Sequence, residues 1–203
     1  ASGKGAAAAP TAASSSGGVE SGAGEDAVPE EVVEAAMQGD EAVLAWLDGG
    51  GRVDATFTAK GESGFTLLMA AAAYGHERLA VALLQRGASV NLRDSEGRTA
   101  RLHAALSGHE RVTELLVRCG AEIDQQACRG YTALMIAAFV DRPAALRCLL
   151  RAGADTKLRT VAGRTALQIA KKEGSAECVR ALEEHAAAEA AAEAAANQAA
   201  WAA

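Results

Sequence analysis

Histidine and cysteine are the residue types in this sequence best suited to metal binding or nucleophilic chemistry, and the chain has four of each. Zinc sites draw on such residues at short, regular spacings. The cysteines form no C-x-x-C pair, and neither His103 nor His185 has a cysteine or carboxylate at ligand spacing. The sequence also lacks a G-x-x-x-x-G-K-[ST] loop, a G-x-S-x-G elbow and a G-x-G-x-x-G motif. It therefore predicts no metal, no cofactor and no enzyme activity.

The cysteines indicate instead the kind of cellular compartment in which we expect the protein. Cys119, Cys148 and Cys178 fall in otherwise apolar helical segments, so we expect buried free thiols. Free thiols suit a reducing intracellular compartment, which includes the cytoplasm, the nucleus and organelle interiors. The first residue is Ala1 and not methionine, which indicates a processed or trimmed N-terminus.

The net charge of −6 is concentrated near the N-terminus, because residues 1–35 hold six acidic residues against one lysine. The rest of the chain is nearly neutral. It lacks the clustered basic residues with which a general nucleic-acid binder contacts phosphates. No uncharged apolar run is long enough for a membrane span outside the alanine-rich end of the chain.

Glycine and threonine recur with a constant step of 33 residues. One glycine series is Gly64, Gly97, Gly130 and Gly163, a second is Gly87, Gly120 and Gly153, and the threonines are Thr66, Thr99, Thr132 and Thr165. A period of this size indicates stacked supersecondary units, none of which can bury its apolar face alone. Function is therefore expected on a surface that the stack creates.

Each unit has the sequence of two helices joined by a tight turn. The repeated threonine stands where an N-cap residue would, and Thr165 with Gln168 also fits a capping box. A further glycine, such as Gly75 or Gly108, is placed to end the first helix, and apolar residues at helical spacing follow it. The linking segments, such as 88–98, are typical of hairpin-like loops.

Four aligned segments carry a family resemblance: G-F-T-L-L-M-A-A-A-A-Y-G-H, G-R-T-A-R-L-H-A-A-L-S-G-H, G-Y-T-A-L-M-I-A-A and G-R-T-A-L-Q-I-A. With G-A-S-V-N, G-A-E-I-D and G-A-D, they resemble the G-x-T-P-L-H-x-A-A-x-x-G-H and G-A-D-V-N motifs of ankyrin repeats. The resemblance covers residues 63 to about 185. It implies an all-α solenoid of about five helix-turn-helix repeats with hairpin loops, in which His76 and His109 help to cap second helices.

The expected organisation is a series of consecutive segments. They are a disordered acidic leader (1–28), an N-terminal capping unit (29–62), unit A (63–95), unit B (96–128), unit C (129–161), unit D (162–185) and an alanine-rich helical tail (186–203). A hairpin lengthened by three residues near 60–62 would join the capping unit to unit A. The tail has strong helix propensity and should prolong the last helix.

Unit B departs from the pattern, because Arg101 stands where the family buries a leucine. Two interpretations stay open: the stack is looser there, or Arg101 finds an acidic partner. The simplest expectation is a local distortion in which the guanidinium snorkels out to solvent. The histidine of the family motif is also replaced, by Met69, Leu102, Met135 and Gln168 in the four units, which removes a hydrogen bond that the family usually makes.

The resemblance places a partner-binding surface on the hairpin tips and on the inner face of the first helices. Large apolar residues at those positions are Met37, Phe65, Tyr74, Leu106, Tyr131, Phe139 and Val140. The core does not need them, so they predict an exposed apolar strip; alternatively, the tip aromatics only stiffen neighbouring hairpins. Basic residues at the tips, among them Arg98, Arg129 and Arg164, favour a partner segment with acidic and apolar residues. Trp201 either docks on a partner or on the stack, or lies exposed.

Two functions from different classes follow. The first is a non-enzymatic adaptor that binds a partner polypeptide in its concave groove and at its tips. The second is a structural or assembly subunit that is anchored in a large hetero-complex by its leader and its tail helix. Because fold alone does not settle function, the step from repeat stack to protein binding rests on the resemblance.

Overall fold

The computed structural model describes residues 28–59 and 61–201 of the chain. These residues form ten α-helices, two in each unit. They are α1 (Glu30–Gln38) and α2 (Ala42–Asp48), α3 (Leu67–Tyr74) and α4 (Glu77–Gln85), α5 (Ala100–Ser107) and α6 (Glu110–Arg118), α7 (Ala133–Phe139) and α8 (Pro143–Arg151), and α9 (Ala166–Glu173) and α10 (Ala176–Trp201). The predicted all-α repeat architecture is confirmed. The predicted leader lies outside the described residues, except for Val28.

The linking segments fold into short hairpins whose tips bond to one another. Strands β1 (Thr56–Ala59) and β2 (Glu62–Thr66) pair antiparallel between the capping unit and unit A. Later tips are tight turns, closed for example by the Asp94 amide donating to the Arg98 carbonyl at 2.9 Å. Each tip also donates to the one before it: Ser95 N to Ser63 O, Cys128 N to Glu96 O and Val161 N to Arg129 O, each at 2.9 Å. The tips therefore form a continuous edge along the stack.

The repeated threonines cap the first helices in three of the four units. The hydroxyls of Thr66, Thr132 and Thr165 accept from the amide three residues on, and Gln168 completes the predicted capping box at Thr165. In unit B the prediction is wrong, because the Thr99 hydroxyl is buried and bonds to no described residue. Helix α5 thus begins without the side-chain cap of its neighbours.

Replacing Asp141 with glycine is expected to raise the free energy of unfolding by about 1 kcal/mol. Asp141 follows α7 at the position where glycine ends the other four first helices, and its φ of 52° is left-handed. Glycine adopts that conformation at little cost, whereas a Cβ is strained there. Urea unfolding followed by circular dichroism measures the change.

The reverse change, Gly75→Ala, is the matched control for that prediction. It should destabilise the protein, because Gly75 has a φ of +78° and an added Cβ would lie 2.5 Å from Nδ1 of His109. A lower stability for Asp141→Gly, or an unchanged one for Gly75→Ala, would contradict the strain argument.

The helices lie in two rows. First helices of adjacent units pack more closely than second helices do, with the pairs α3 with α5 and α7 with α9 the closest. Small side chains allow this approach, since the buried faces of the first helices are largely alanine. We call the side of the stack that the first helices form its inner face.

The buried core divides into two groups of side chains within unit B. The first group runs from Val28 to Leu116, and the second from Leu102 to Leu182. Arg101, in the first turn of α5, lies where the two groups meet. Its counterparts in the neighbouring units, Leu68 and Leu134, are both buried in the core.

The expectation that Arg101 snorkels to solvent is wrong, because the residue is 0% exposed. Its three guanidinium nitrogens hydrogen bond to no described residue, so it also lacks the direct acidic partner that was the alternative. Burial lowers the pKa of Arg101 to about 10. The more distant carboxylates of Asp124 and Glu122 raise this pKa, but they offset the effect of burial only in part.

The expectations for the alanine-rich tail and for the cysteines are confirmed in part. The tail does prolong the last helix, since α10 continues to Trp201, and its residues 186–198 are exposed. All four cysteines are free; Cys148 and Cys178 are buried as expected, but Cys119 and Cys128 are exposed, because they lie at a helix end and a hairpin tip. Among the described helices, none combines the length and apolar character that crossing a bilayer requires.

Candidate functional site

An apolar strip follows the C-terminal ends of consecutive first helices. We define this groove strip as Met37, Tyr74, Leu106, Phe139 and Val140. Tyr74 is 38% exposed, and the other four are half-buried. The predicted residues thus lie in one row along the inner face, and Tyr74 is the most exposed of them.

Histidine rings hold the ends of the first helices together. Nε2 of His76 donates to the Met37 carbonyl at 2.7 Å, and Nε2 of His109 donates to the Ala73 carbonyl at 3.2 Å. Burial lowers the pKa of His109, which favours the neutral ring. Each ring therefore links its own unit to the preceding one.

These contacts correct one expectation and explain a second feature of the strip. Neither His76 nor His109 caps its second helix through the side chain, because the ring is engaged by the preceding unit. The ring of His76 also lies parallel to that of Tyr74, with centroids 6.3 Å apart and an interplanar angle of 13°. His76 therefore contacts both the preceding unit and a residue of the groove strip.

Phe65 does not belong to the exposed surface, contrary to the prediction. It is buried between Phe57 of β1, with ring centroids 5.6 Å apart, and His103 of α5, at 4.7 Å. The hairpin before unit A supplies Phe57, which encloses the ring. Tyr131, at the equivalent position of unit C, is half-buried against the second core group. At these two tips the alternative, that aromatics stiffen the hairpins, describes the packing better.

Arg98 is likewise not a free cation. Its guanidinium pairs with Glu62 and, through Nε at 3.0 Å, with the buried carboxylate of Asp94. Asp94 also accepts from Nε2 of His103 at 2.9 Å and from the amides of Glu96 and Arg98. Burial by itself would raise the pKa of Asp94, but the hydrogen bonds from His103 and Arg98 lower it to about 2.

This Asp94 cluster was missed in the sequence, because His103 lies one position after the histidine of the family motif. The tight turn that Asp94 closes could have signalled it, since an aspartate at the start of a turn often accepts backbone amides. The cluster is buried and joins unit A to unit B, so its role is to fix the stack and not to meet a ligand.

The other predicted site residues lie apart from the groove strip. Arg129 and Arg164 are exposed at the tips of units C and D, and Trp201 is 93% exposed at the end of α10. Trp201 therefore docks on no part of the described stack. Sequence reasoning missed Val161, which is 85% exposed at the tip between Arg129 and Arg164.

Within residues 28–59 and 61–201, no group of three or more histidine, cysteine, aspartate or glutamate side chains is arranged to hold a metal ion. What the inner face and the tips offer is an extended surface of apolar and charged side chains held by a rigid repeat scaffold. Such a surface is suited to recognising another polypeptide.

Comparison with known proteins gives the same architecture. A family model for ankyrin repeats in three copies matches residues 32–127 and again residues 108–194. No curated protein sequence matches the chain. Ankyrin repeats generally mediate protein–protein interaction, and the family is typically non-enzymatic. The two matches span most of the chain and include the capping unit, so this protein belongs to the ankyrin-repeat family.

Proposed function

We propose that the chain is a non-enzymatic adaptor that binds a partner polypeptide along the groove strip, as one component of a hetero-complex. The observation that carries the proposal is the partly open ring of Tyr74, in line with half-buried Leu106 and Phe139 on the next two first helices. Aromatic side chains in a partly desolvated groove are common anchors of protein interfaces. Apolar side chains of the partner would lie on the strip, and its acidic side chains would meet basic tips.

The free thiols support placing this adaptor in a reducing intracellular compartment. The partner we propose is a protein and not a nucleic acid or a lipid surface, because the chain carries a net charge of −6.

Photo-crosslinking in cells tests the groove even though the partner is unidentified. The photoreactive residue p-benzoylphenylalanine is placed at Tyr74 or Phe139, and at exposed Arg118 on the second-helix row as a control. The two groove positions should crosslink to one and the same polypeptide, identified by mass spectrometry, and position 118 should not. Equal crosslinking from all three positions would refute the groove assignment.

The double variant Tyr74→Ala/Phe139→Ala then measures the contribution of the strip. Affinity for the crosslinked partner should fall about tenfold or more, because two anchors are truncated. Circular dichroism should show helicity close to that of the parent, since Tyr74 is only partly buried. Unchanged affinity would mean that the partner does not use the strip.

A structural subunit is the second candidate, and α10 is the observation that favours it. Its residues 186–198 and Trp201 are exposed. A helix of this length could therefore anchor the chain in a larger complex. Deletion of residues 1–27 and 187–203, which spares the buried side chain of Val28, separates the two functions. The deletion should abolish incorporation into the complex if the chain is such a subunit, and leave partner binding intact if the chain is a groove-binding adaptor.

A further inference from the structure

The tips of units C and D carry a group of exposed basic side chains. One carboxylate, that of Asp155, accepts from the backbone amide of Lys157 at 2.7 Å. We define the C/D tip patch as Arg129, Lys157, Arg159 and Arg164 around Val161, all of them exposed. The amide of Val161 donates to the Arg129 carbonyl at 2.9 Å, and the amide of Thr160 donates to the Arg164 carbonyl at 3.0 Å. These bonds place the backbones of Arg129, Val161 and Arg164 side by side.

Further contacts fix the same turn. Nη1 of Arg159 donates to the Gly163 carbonyl at 2.8 Å, which folds the arginine side chain across the hairpin. The Gln126 side-chain amide donates to the carbonyls of Gly130 at 2.9 Å and of Arg159 at 3.0 Å, and so ties the two tips together. The charges of the patch are therefore carried by a rigid scaffold, which reduces the conformational entropy lost when a partner binds.

The patch differs from the other tips in its charge balance. No described carboxylate lies within 4.0 Å of the side-chain nitrogens of Arg129, Lys157, Arg159 or Arg164. At the tip of unit B, by contrast, Arg98 is neutralised by Glu62 and Asp94. The guanidinium groups at the tips of units C and D are therefore available to a partner, whereas that of Arg98 is not.

Two non-glycine residues of the described chain have a left-handed φ, Asp141 after α7 and Arg129 in this patch. Arg129 has a φ of 62°, a left-handed conformation that costs a non-glycine residue about 1 kcal/mol. The residues at its position in the other three units, Ser63, Glu96 and Ala162, do not have a positive φ. Unit C thus holds an arginine at its tip in a conformation that local folding does not favour, which is a feature of functional positions.

Val161 adds an apolar element to this charged surface. It is 85% exposed, the largest exposed fraction among the large apolar residues of the repeats themselves. Nucleic-acid sites on single strands usually add aromatic rings for base stacking, whereas the nearest tip aromatic, Tyr131, is half-buried against the core. An exposed valine surrounded by cations is better matched to a peptide with one apolar side chain and acidic neighbours.

We propose that the C/D tip patch binds a partner segment in which acidic side chains flank an apolar one. This inference rests on the proposed adaptor function and adds to it a second contact point, separate from the groove strip. The acidic side chains would pair with Arg129, Arg159 and Arg164, and the apolar side chain would cover Val161. Binding at the patch should weaken as salt rises, because the charge pairs are exposed.

The test uses the full chain and a defined probe, the fluorescein-labelled peptide GSEEELEEESG, titrated by fluorescence anisotropy at low salt. The variant Arg159→Glu/Arg164→Glu should lower the association constant about tenfold or more. The matched control, Arg78→Glu/Arg118→Glu, reverses two exposed arginines of the second-helix row that pair with no described carboxylate, and it should change binding by less than about twofold. Val161→Ser should weaken binding several-fold without altering its salt dependence.

Each other outcome refutes the proposal. These outcomes are no binding of the probe, equal losses in the patch and control variants, or tighter patch-dependent binding of an oligothymidylate strand, which would assign the surface to nucleic acid. The variant Tyr74→Ala/Phe139→Ala should leave probe binding unchanged. If crosslinking from the groove fails while the patch variants lose the probe, the groove assignment alone is wrong.

Discussion

The substitution Arg101→Leu is expected to raise the free energy of unfolding by about 1–4 kcal/mol. The guanidinium is 0% exposed and hydrogen bonds to no described residue, so folding removes a charge from water without replacing its hydration. Leucine already fills the same position at Leu68 and Leu134. Thermal unfolding should shift upward by roughly 2–4 °C for each kcal/mol.

The control for this prediction is Arg118→Leu, which removes an arginine of the same size from the exposed end of α6. Its effect should stay within about 0.5 kcal/mol. A second variant, Arg101→Met, keeps most of the length of the side chain and should also stabilise, which separates the effect of charge from that of volume. If both Arg101 variants were less stable than the parent, the buried guanidinium would have to contribute favourably.

The substitution Asp94→Ala should lower the free energy of unfolding by about 3–5 kcal/mol. The Asp94 carboxylate accepts hydrogen bonds from the side chains of Arg98 and His103 and from two backbone amides. The substitution would remove the acceptor of all four hydrogen bonds. Leaving half-buried Arg98 and buried His103 without this acceptor is the main cost. Urea unfolding measures the loss. The control is Asp155→Ala, because the Asp155 carboxylate is exposed and accepts from one nearby backbone amide, and this variant should cost about 1 kcal/mol or less.

The same carboxylate makes the stack sensitive to acid. The pKa of Asp94 falls from 3.8 to about 2 in the folded protein, so the folded state binds this proton less readily than the unfolded chain does. Its contribution, about 2 kcal/mol, is fully present above pH 4 and is lost as the pH falls toward 2. Stability measured across this range should decline less steeply in Asp94→Asn than in the parent. Parallel curves for the two proteins would contradict the assignment.

The repeat, its helices and three of its four threonine caps could be predicted from the sequence because they depend on local conformation. Glycine at left-handed positions and threonine before a helix report the backbone within a few residues, and the 33-residue step places every unit in phase. The prediction of a prolonged last helix was correct for the same reason, since alanine favours the helix independently of its neighbours.

The errors arose where the outcome depends on residues of a neighbouring unit. Phe65 is buried because Phe57, from the hairpin before it, closes over the ring, and Arg98 is neutralised because Glu62 and Asp94 reach it. Arg101 remains inside because helices of neighbouring units surround it. The repeat pattern places each residue within its own unit, but the contacts that decide its exposure come from the adjacent one.

The two tryptophans lie at opposite ends of the molecule, which makes intrinsic emission a selective probe. Trp46 of α2 packs against the first core group and over Gly51, whereas Trp201 is already in water in the native state. Only Trp46 changes its surroundings on denaturation, so the emission maximum follows the N-terminal unit while ellipticity follows all the helices. Non-coincident curves would reveal fraying at that end before the interior repeats melt, with no label attached.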